Sequence, residues 1–495
     1  MRARILTGVA LASGTAMAAN STFVTAKPGS GSTQVTIYNG GFATVKETRT
    51  LDLKKGENEV RMTDVTAQLE TDSVVLRDLK RAEALRVLEQ NYEANPLSEY
   101  HLLAGYEGKD LDFEYTSPQT GERFYVRGKL IRAPQNPNNP MVYDDSVRGG
   151  MPFTDAIVET NGKLQFGLPG RPRFDPLDPG AILKPTLLWK LASEVEGPRD
   201  VEVSYLTGGL RWEAAYNLVA AEKGDNYDLV GWVTLQNQSG KDLLGSQVKL
   251  VAGDVARASS QQERPYEMMA AKSMAMTDGG VTERSFEEYH LYSLPRPTNV
   301  MDREVKQVEF VRAANVPAKR LYVFDAARPI PMPGRYVRGG SDQSKQPVAT
   351  VLEFENKESA HLGMPLPKGK VKVYRRDIDG RNEFVGEDAI DHTPKDEKIR
   401  VQLGNAFDIV GERRAVEQRA PSDKEFFETW EIKLRNHKTS DVEVRVVEHF
   451  NRGREWELTA KGREFTKLDA TSVEFKVPVK ANGESAFTYT VKYKL

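Results

Sequence analysis

Apolar and polar positions alternate along much of this chain with a period of two, the mark of strands with one buried and one solvated face. The pattern is strictest near the C-terminus. Trp430, Ile432 and Leu434 alternate with Glu431, Lys433 and Arg435. Val442, Val444 and Val446 alternate with Glu443, Arg445 and, less well, Val447. Val473, Phe475, Val477 and Val479 repeat the rhythm, as do Phe487, Tyr489, Val491 and Tyr493. The outward positions are Glu, Lys, Arg and Thr, whereas a barrel crossing an outer membrane needs an apolar outward face on every strand. Residues 426–495 are therefore expected to form an immunoglobulin-like β-sandwich.

A second dense run of strands covers Val201 to Asp254. Val201, Val203 and Tyr205 alternate with polar neighbours, and Gly208-Gly209 then supplies a turn that needs positive φ. Leu210, Trp212 and Tyr216 follow, then Leu229 to Leu235 and the β-branched run Val248 to Val251. One turn device recurs three times, with Asn third and an apolar residue ninth: Leu235 to Leu243, Phe354 to Leu362 and Leu434 to Val442. The central residues are Asn237, Asn356 and Asn436. Asn side chains bond to nearby backbone and favour turns, so the repetition suits repeated use of one sandwich plan or simple reuse of a good turn.

The remaining segments complete a mainly β, multi-domain reading: antiparallel β-sandwiches with a small inserted barrel. Residues 33–90 read as an N-terminal β unit. Residues 98–170 carry short strands at Leu111–Tyr115, Phe124–Ile131, Ala156–Glu159 and Leu164–Leu168, the pattern of a small SH3-like barrel. Arg123, Arg127, Lys129 and Arg132 make that insert locally basic, as a solvated strand face or a ligand patch. A Pro/Gly-rich crossing leads into a central sandwich region over 181–425, with strands at Ile399–Leu403 and Val416–Arg419. Within it, 259–282 reads as a flexible loop. Its Met268, Met269, Met274 and Met276 leave a soft docking surface or a copper(I) site as alternatives.

Length and charge narrow the picture. A chain of 495 residues exceeds one hydrophobic core. A net charge of −2 gives no global basicity for nucleic acid. The first 19 residues read as a signal peptide: Arg2 and Arg4, an apolar Ile5–Leu11 core and the cleavage pattern Ala16-Met17-Ala18. A periplasmic or secreted protein with no membrane span after cleavage is expected. The absence of Cys excludes thiol catalysis, thiolate metal sites, disulfides and a lipid-modified terminus.

Candidate chemistry is sparse. Glu387, Asp388, Asp391, His392 and Glu397 form the one dense acid and imidazole cluster. Such a set is able to hold a divalent cation or perform acid–base work, and the same residues also make ordinary polar turns. Their spacing fits no zinc motif. Asp377-Ile378-Asp379-Gly380 suits a hairpin turn better than a calcium loop, whose Gly falls later and whose closing Glu is missing here. No nucleophile elbow, HExxH, phosphate-binding loop or dinucleotide fingerprint occurs, and no metal or cofactor is implied.

Several segments together resemble a secreted bacterial family, the domain of unknown function forty-one thirty-nine. They are Tyr205, Gly209-Leu210-Arg211-Trp212 and Tyr216; Glu288 to Tyr292; Gly363 to Gly369; Gly386 to Pro394; Gly404 to Asp408; and Glu412-Arg413. Some relatives carry a long coiled coil where this chain has its insert. The resemblance implies a fold and a compartment and leaves activity open. The expected role is non-catalytic: an envelope binding or scaffolding protein whose partner is an envelope protein or glycan. The alternative is a hydrolase acting on an envelope polymer through Glu387, Asp388 and His392.

Overall fold

The computed structural model describes residues 23–29, 31–93, 98–118, 120–134, 155–176, 183–253, 255–257, 282–325, 330–332, 335–337, 343–452 and 455–494. The expected signal peptide and the four methionines of the 259–282 loop lie outside them. The protein is mainly β, with one α-helix among the described residues, Glu99–Gly105. No helix among those residues is long and apolar enough to cross a membrane. The described chain divides into two compact units.

The first unit comprises Met1–Thr33, Thr44–Gly208 and Ser239–Lys241. One of its sheets orders the strands Val24–Thr25, Gly56–Thr63, Thr186–Ser193 and Leu85–Glu93. Alternation builds this sheet: Val60, Met62, Leu187, Trp189 and Leu191 are buried, and the Trp189 indole donates to Gln90 Oε1 at 2.8 Å. A buried ionic cluster lies in the same unit. Glu47 contacts both Arg49 and Lys241 and stands 3.4 Å from the Tyr205 hydroxyl. Burial pushes the Lys241 ammonium down, against the pull of Glu47.

The inserted segment is an open sheet, which corrects the expected SH3-like barrel. Its strands run in the order Lys163–Phe166, Ile157–Thr160, Arg123–Arg132, Asp110–Thr116 and Arg171–Arg173. The two outermost strands do not pair with each other, so the sheet does not close. Closure needs strand number, tilt and stagger to agree; here both edges are only three or four residues long. A helix supplies the cover instead. Ser98 caps it, accepting from the His101 N–H, and Leu103 joins Leu111, Phe113, Leu130 and Val158 in one apolar cluster. Two of the basic side chains of this sheet face carboxylates across the strands: Arg127 stands 3.9 Å from both Asp110 and Asp112, and Arg123 is 3.6 Å from Glu114.

The second unit comprises Gln34–Ala43, Gly209–Gln238 and Asp242–Leu495. Gln34–Tyr38 pairs in parallel with Leu243–Ala252, placing Val35 opposite Val248. The main sheet passes from Asn382–Ile390 through Gly369–Arg376, Leu210–Ala220, Asn226–Asn237, Val305–Asp325, Gln343–Glu355, Lys398–Ser422 and Glu425–Asn436 to Gly483–Lys494 and Glu455–Ala460. The expected boundary at 425/426 falls at a hairpin tip inside this sheet, with Ser422 opposite Glu425. A branch leaves Val305–Asp325: Val442–His449 pairs with its end in parallel, and Ser472–Val479 pairs antiparallel with that strand. The inward residues predicted by alternation share one core, including Ile432, Leu434, Val444, Val446, Phe475, Tyr489 and Val491.

The three turn asparagines are all buried. Asn237 donates to the Val300 carbonyl at 2.9 Å. Asn436 donates to the carbonyls of Ser440 and Lys480 at 2.9 and 3.0 Å and accepts from the Lys438 N–H. Asn356 donates to Met364 and Pro394 at 2.8 and 2.9 Å and accepts from the Gly363 N–H. Each amide satisfies loop backbone that leaves the strand ladder in the interior.

Candidate functional site

The structure disperses the acid and imidazole cluster. Glu387 and Asp388 are neighbours on the strand Asn382–Ile390, so their side chains leave opposite faces, and Glu387 is exposed. Asp388 accepts from the Ala389 N–H at 2.9 Å with one oxygen and from the Gln402 N–H at 2.7 Å with the other. His392 Nδ1 accepts from the Lys368 N–H at 3.2 Å, and its Nε2 meets the Asn39 side-chain amide at 3.3 Å. Asp391 and Glu397 are exposed. Glu397 enters the framework through its backbone carbonyl, which accepts from the Asn356 N–H at 2.8 Å. Among the described residues, no group of three or more His, Asp or Glu is placed to hold a metal ion.

The motif segments do meet, at the loop 363–369. Tyr216 donates to the Pro367 carbonyl at 2.6 Å and Tyr292 to the Pro365 carbonyl at 2.9 Å. Leu366 bridges Thr393, and Asn356 donates both to Met364 in the loop and to Pro394 in the segment beside it. Burial pushes both phenols well above the ordinary tyrosine range, which keeps them protonated as donors. Phe310 packs edge-on against both rings, at 5.8 and 6.3 Å. These residues therefore act as a clamp on backbone.

Gly386 and the Gly404–Asp408 run form a second meeting point. The expected strands at 399–403 and 416–419 are parts of one long strand, Lys398–Ser422, interrupted by irregularities. Opposite it, Thr350 pairs with Gly404 and Val351 with Gln402, leaving Leu403 as an extra residue. Pro347 pairs with Val410 and Ala349 with Asn405, so Val348 alone faces Ala406, Phe407, Asp408 and Ile409. A Cβ at Gly386 would collide with the Leu403 carbonyl, so only Gly admits this bulge. The Asp388 carboxylate takes the Gln402 N–H next to the bulged residue. Ile409 and Ala406 pack on the core, while His437 N–H donates to the Asp408 carbonyl at 2.8 Å. Between these anchors Phe407 is 97% exposed.

A cleft of about 260 Å³ opens beside Asp388. Its floor is Leu321, Val323, Val351 and Val447. These sit next in sequence to core residues such as Phe324, Leu352 and Val446, and so occupy the sheet face turned away from the core. Leu468 forms an apolar wall, and Asp388, Arg400, Gln402, Arg445 and Glu474 supply the polar lining. Arg400 donates to Glu353 at 2.7 Å. Arg445 is less well satisfied: its Nη1 stands 3.7 Å from Glu474, and its buried Nε has no hydrogen-bond partner. Sequence reasoning missed this cleft, although the lapse of alternation at Val447 was its signal.

Two polar groups, one buried and one partly buried, were also missed. Arg413 Nε contacts both oxygens of Glu448 at 3.2 and 3.1 Å, its Nη2 reaches the Tyr489 hydroxyl at 3.3 Å, and its guanidinium lies 3.3 Å from the Trp430 ring centroid. Burial pushes the Glu448 carboxyl up, with Arg413 pulling against it. Nearby in sequence, His449 Nδ1 is 2.9 Å from Ser472 Oγ and its Nε2 is 3.3 Å from Asp325 Oδ2. The residue types are those of a nucleophilic triad, but Ser472 is 3% exposed and faces His449 across a strand pair, closed to a substrate.

Comparisons with known proteins follow this division of the chain. No curated protein matches. Residues 35–103 match the N-terminal domain of unknown function DUF4140, and residues 201–495 match the domain of unknown function DUF4139. The two matches frame 104–200, which holds the five-stranded sheet. The second match spans more than half of the chain and takes in the clamp, the bulge and the cleft, and the protein belongs to the DUF4139 family.

Proposed function

We propose that this protein is a non-catalytic binding or scaffolding protein of the cell envelope, exported by its N-terminal segment and presenting loops and bulges from rigid sheets to an envelope protein or glycan. The observation that carries this reading is Phe407: an aromatic ring 97% exposed on a bulge fixed at both ends. Bulges re-aim side chains, and an aromatic held outward on rigid backbone binds with little ordering cost. The hydrolase alternative is weaker. The Asp388 oxygens and both His392 ring nitrogens already have partners in the fold, and Glu387 projects from the opposite face to Asp388.

A photo-crosslinking amino acid at position 407 of the exported protein tests this in cells. Discrete adducts at 407, missing when the same group sits at exposed Glu417, support the reading. The same adduct pattern at both positions, or none at 407, counts against it. Fractionation that leaves the full chain in the cytosol would overturn the envelope assignment.

A further inference from the structure

We infer that the cleft beside Arg445 is a binding site for a carboxylate joined to a branched aliphatic group. The inference stands apart from Phe407 and from any role of the bulge. Its first support is the floor. Outward positions of these strands are mostly charged or polar, as at Lys319, Glu353, Glu443 and Lys476. Leu321, Val323, Val351 and Val447 break that rule together, on three adjoining strands brought into register by the pairs Leu321–Val351, Val323–Arg445 and Asp325–Val447. An apolar patch of this kind with a few convergent polar groups is the usual form of a small-ligand site, and about 260 Å³ suits a ligand smaller than a drug-sized molecule.

The second support is the state of the polar groups. Asp388 holds two backbone N–H groups and Arg400 holds Glu353, so both have hydrogen-bond partners within the protein. Arg445 does not: Glu474 is beyond hydrogen-bond distance from Nη1, and the buried Nε donor has no partner. Glu474 supplies charge to this corner but no hydrogen bond, and the strongest acceptor for a guanidinium is a carboxylate at hydrogen-bond distance. A ligand that places a carboxylate at Arg445 lays its hydrocarbon on the Val323, Val447 and Leu321 floor, with Leu468 closing over it. Two sources share this chemistry: a free branched fatty acid and the C-terminal Leu or Val of a peptide.

Methyl-labelled full-length protein titrated with 4-methylpentanoate, N-acetyl-leucine and N-acetyl-leucinamide tests the inference by NMR. Shifts of the Leu321, Val323, Val351 and Val447 methyls with either acid, and none with the amide, support it. The tighter acid identifies the source. Arg445→Gln is expected to weaken the acid roughly tenfold or more. Val447→Glu, at a partly exposed outward position, is expected to abolish binding while leaving the remaining methyl spectrum in place. Equal binding of acid and amide, unchanged affinity in Arg445→Gln, or no shift with either acid at millimolar concentration overturns the inference. Such a failure leaves the crosslinking result at 407 untouched.

Discussion

Between Gly386 and Glu397 the charged side chains stay at or near the surface, and the one carboxylate that turns inward, Asp388, holds backbone N–H groups. Between Arg413 and Tyr489 the opposite holds: Glu448 is 0% exposed, and it meets Arg413 and Tyr489 inside an apolar core. In the linear sequence the first stretch resembles a site and the second a run of ordinary strands. Density of acids along a chain measures how much polar surface a loop needs. A charge that enters a core comes from isolated positions on separate strands, and only the pairing of those strands brings it together. The motif residues of the first stretch are consequently about backbone: they hold the 363–369 loop and the bulge.

The largest effect is expected at the buried pair. Glu448→Ala leaves the Arg413 guanidinium without its partner in the core and should cost about 3–5 kcal/mol in denaturant unfolding. Arg413→Met combined with Glu448→Leu removes both charges and should cost less than either single truncation; a double variant worse than both singles would break the contrast. Because the folded carboxyl lies above its unfolded value, the contribution of Glu448 is fully present below the usual glutamate range. It falls as pH rises through the window up to the folded value. Glu448→Gln should remove that slope from the curve of stability against pH.

The turn asparagines come next. Asn436→Ala and Asn356→Ala each leave interior carbonyls without a donor and should cost about 2–3 kcal/mol by the same measurement. The smallest effects belong to the acid and imidazole segment. Asp388→Ala leaves the Gln402 N–H without an acceptor and should cost about 1 kcal/mol. Glu387→Gln should change stability by less than about 0.5 kcal/mol. A large loss from Glu387→Gln would mean that this surface carboxylate does more than face water.

Strand faces were legible wherever apolar residues alternated, as at Trp430 to Leu434, because burial of one face demands that rhythm. The turn asparagines were legible for a related reason: few side chains substitute for backbone inside a protein. Sheet closure in the insert was not, since strand length and spacing are the same for an open sheet under a helix and for a barrel. The extra residues at 406–409 were also hidden: a bulge changes the register against Gln343–Glu355, a property of two segments far apart in sequence. Of the candidate site, Asp388 was singled out for acidity and matters as an acceptor for backbone. Arg445 and Val447 stood in an apparently regular strand, and the faltering rhythm at Val447 was the trace that the cleft left in the sequence.

The parallel pairing of Gln34–Tyr38 with Leu243–Ala252 bears on how the chain acquires its structure. Val35 emerges early in synthesis, yet its neighbour Val248 follows more than two hundred positions later. Until that partner exists one edge of this apolar strand has no neighbour and is open to wrong ones. Contacts of such long range close slowly. The order in which the parts of this protein settle is thus set less by its N-terminus than by the arrival of residues in the middle of the chain.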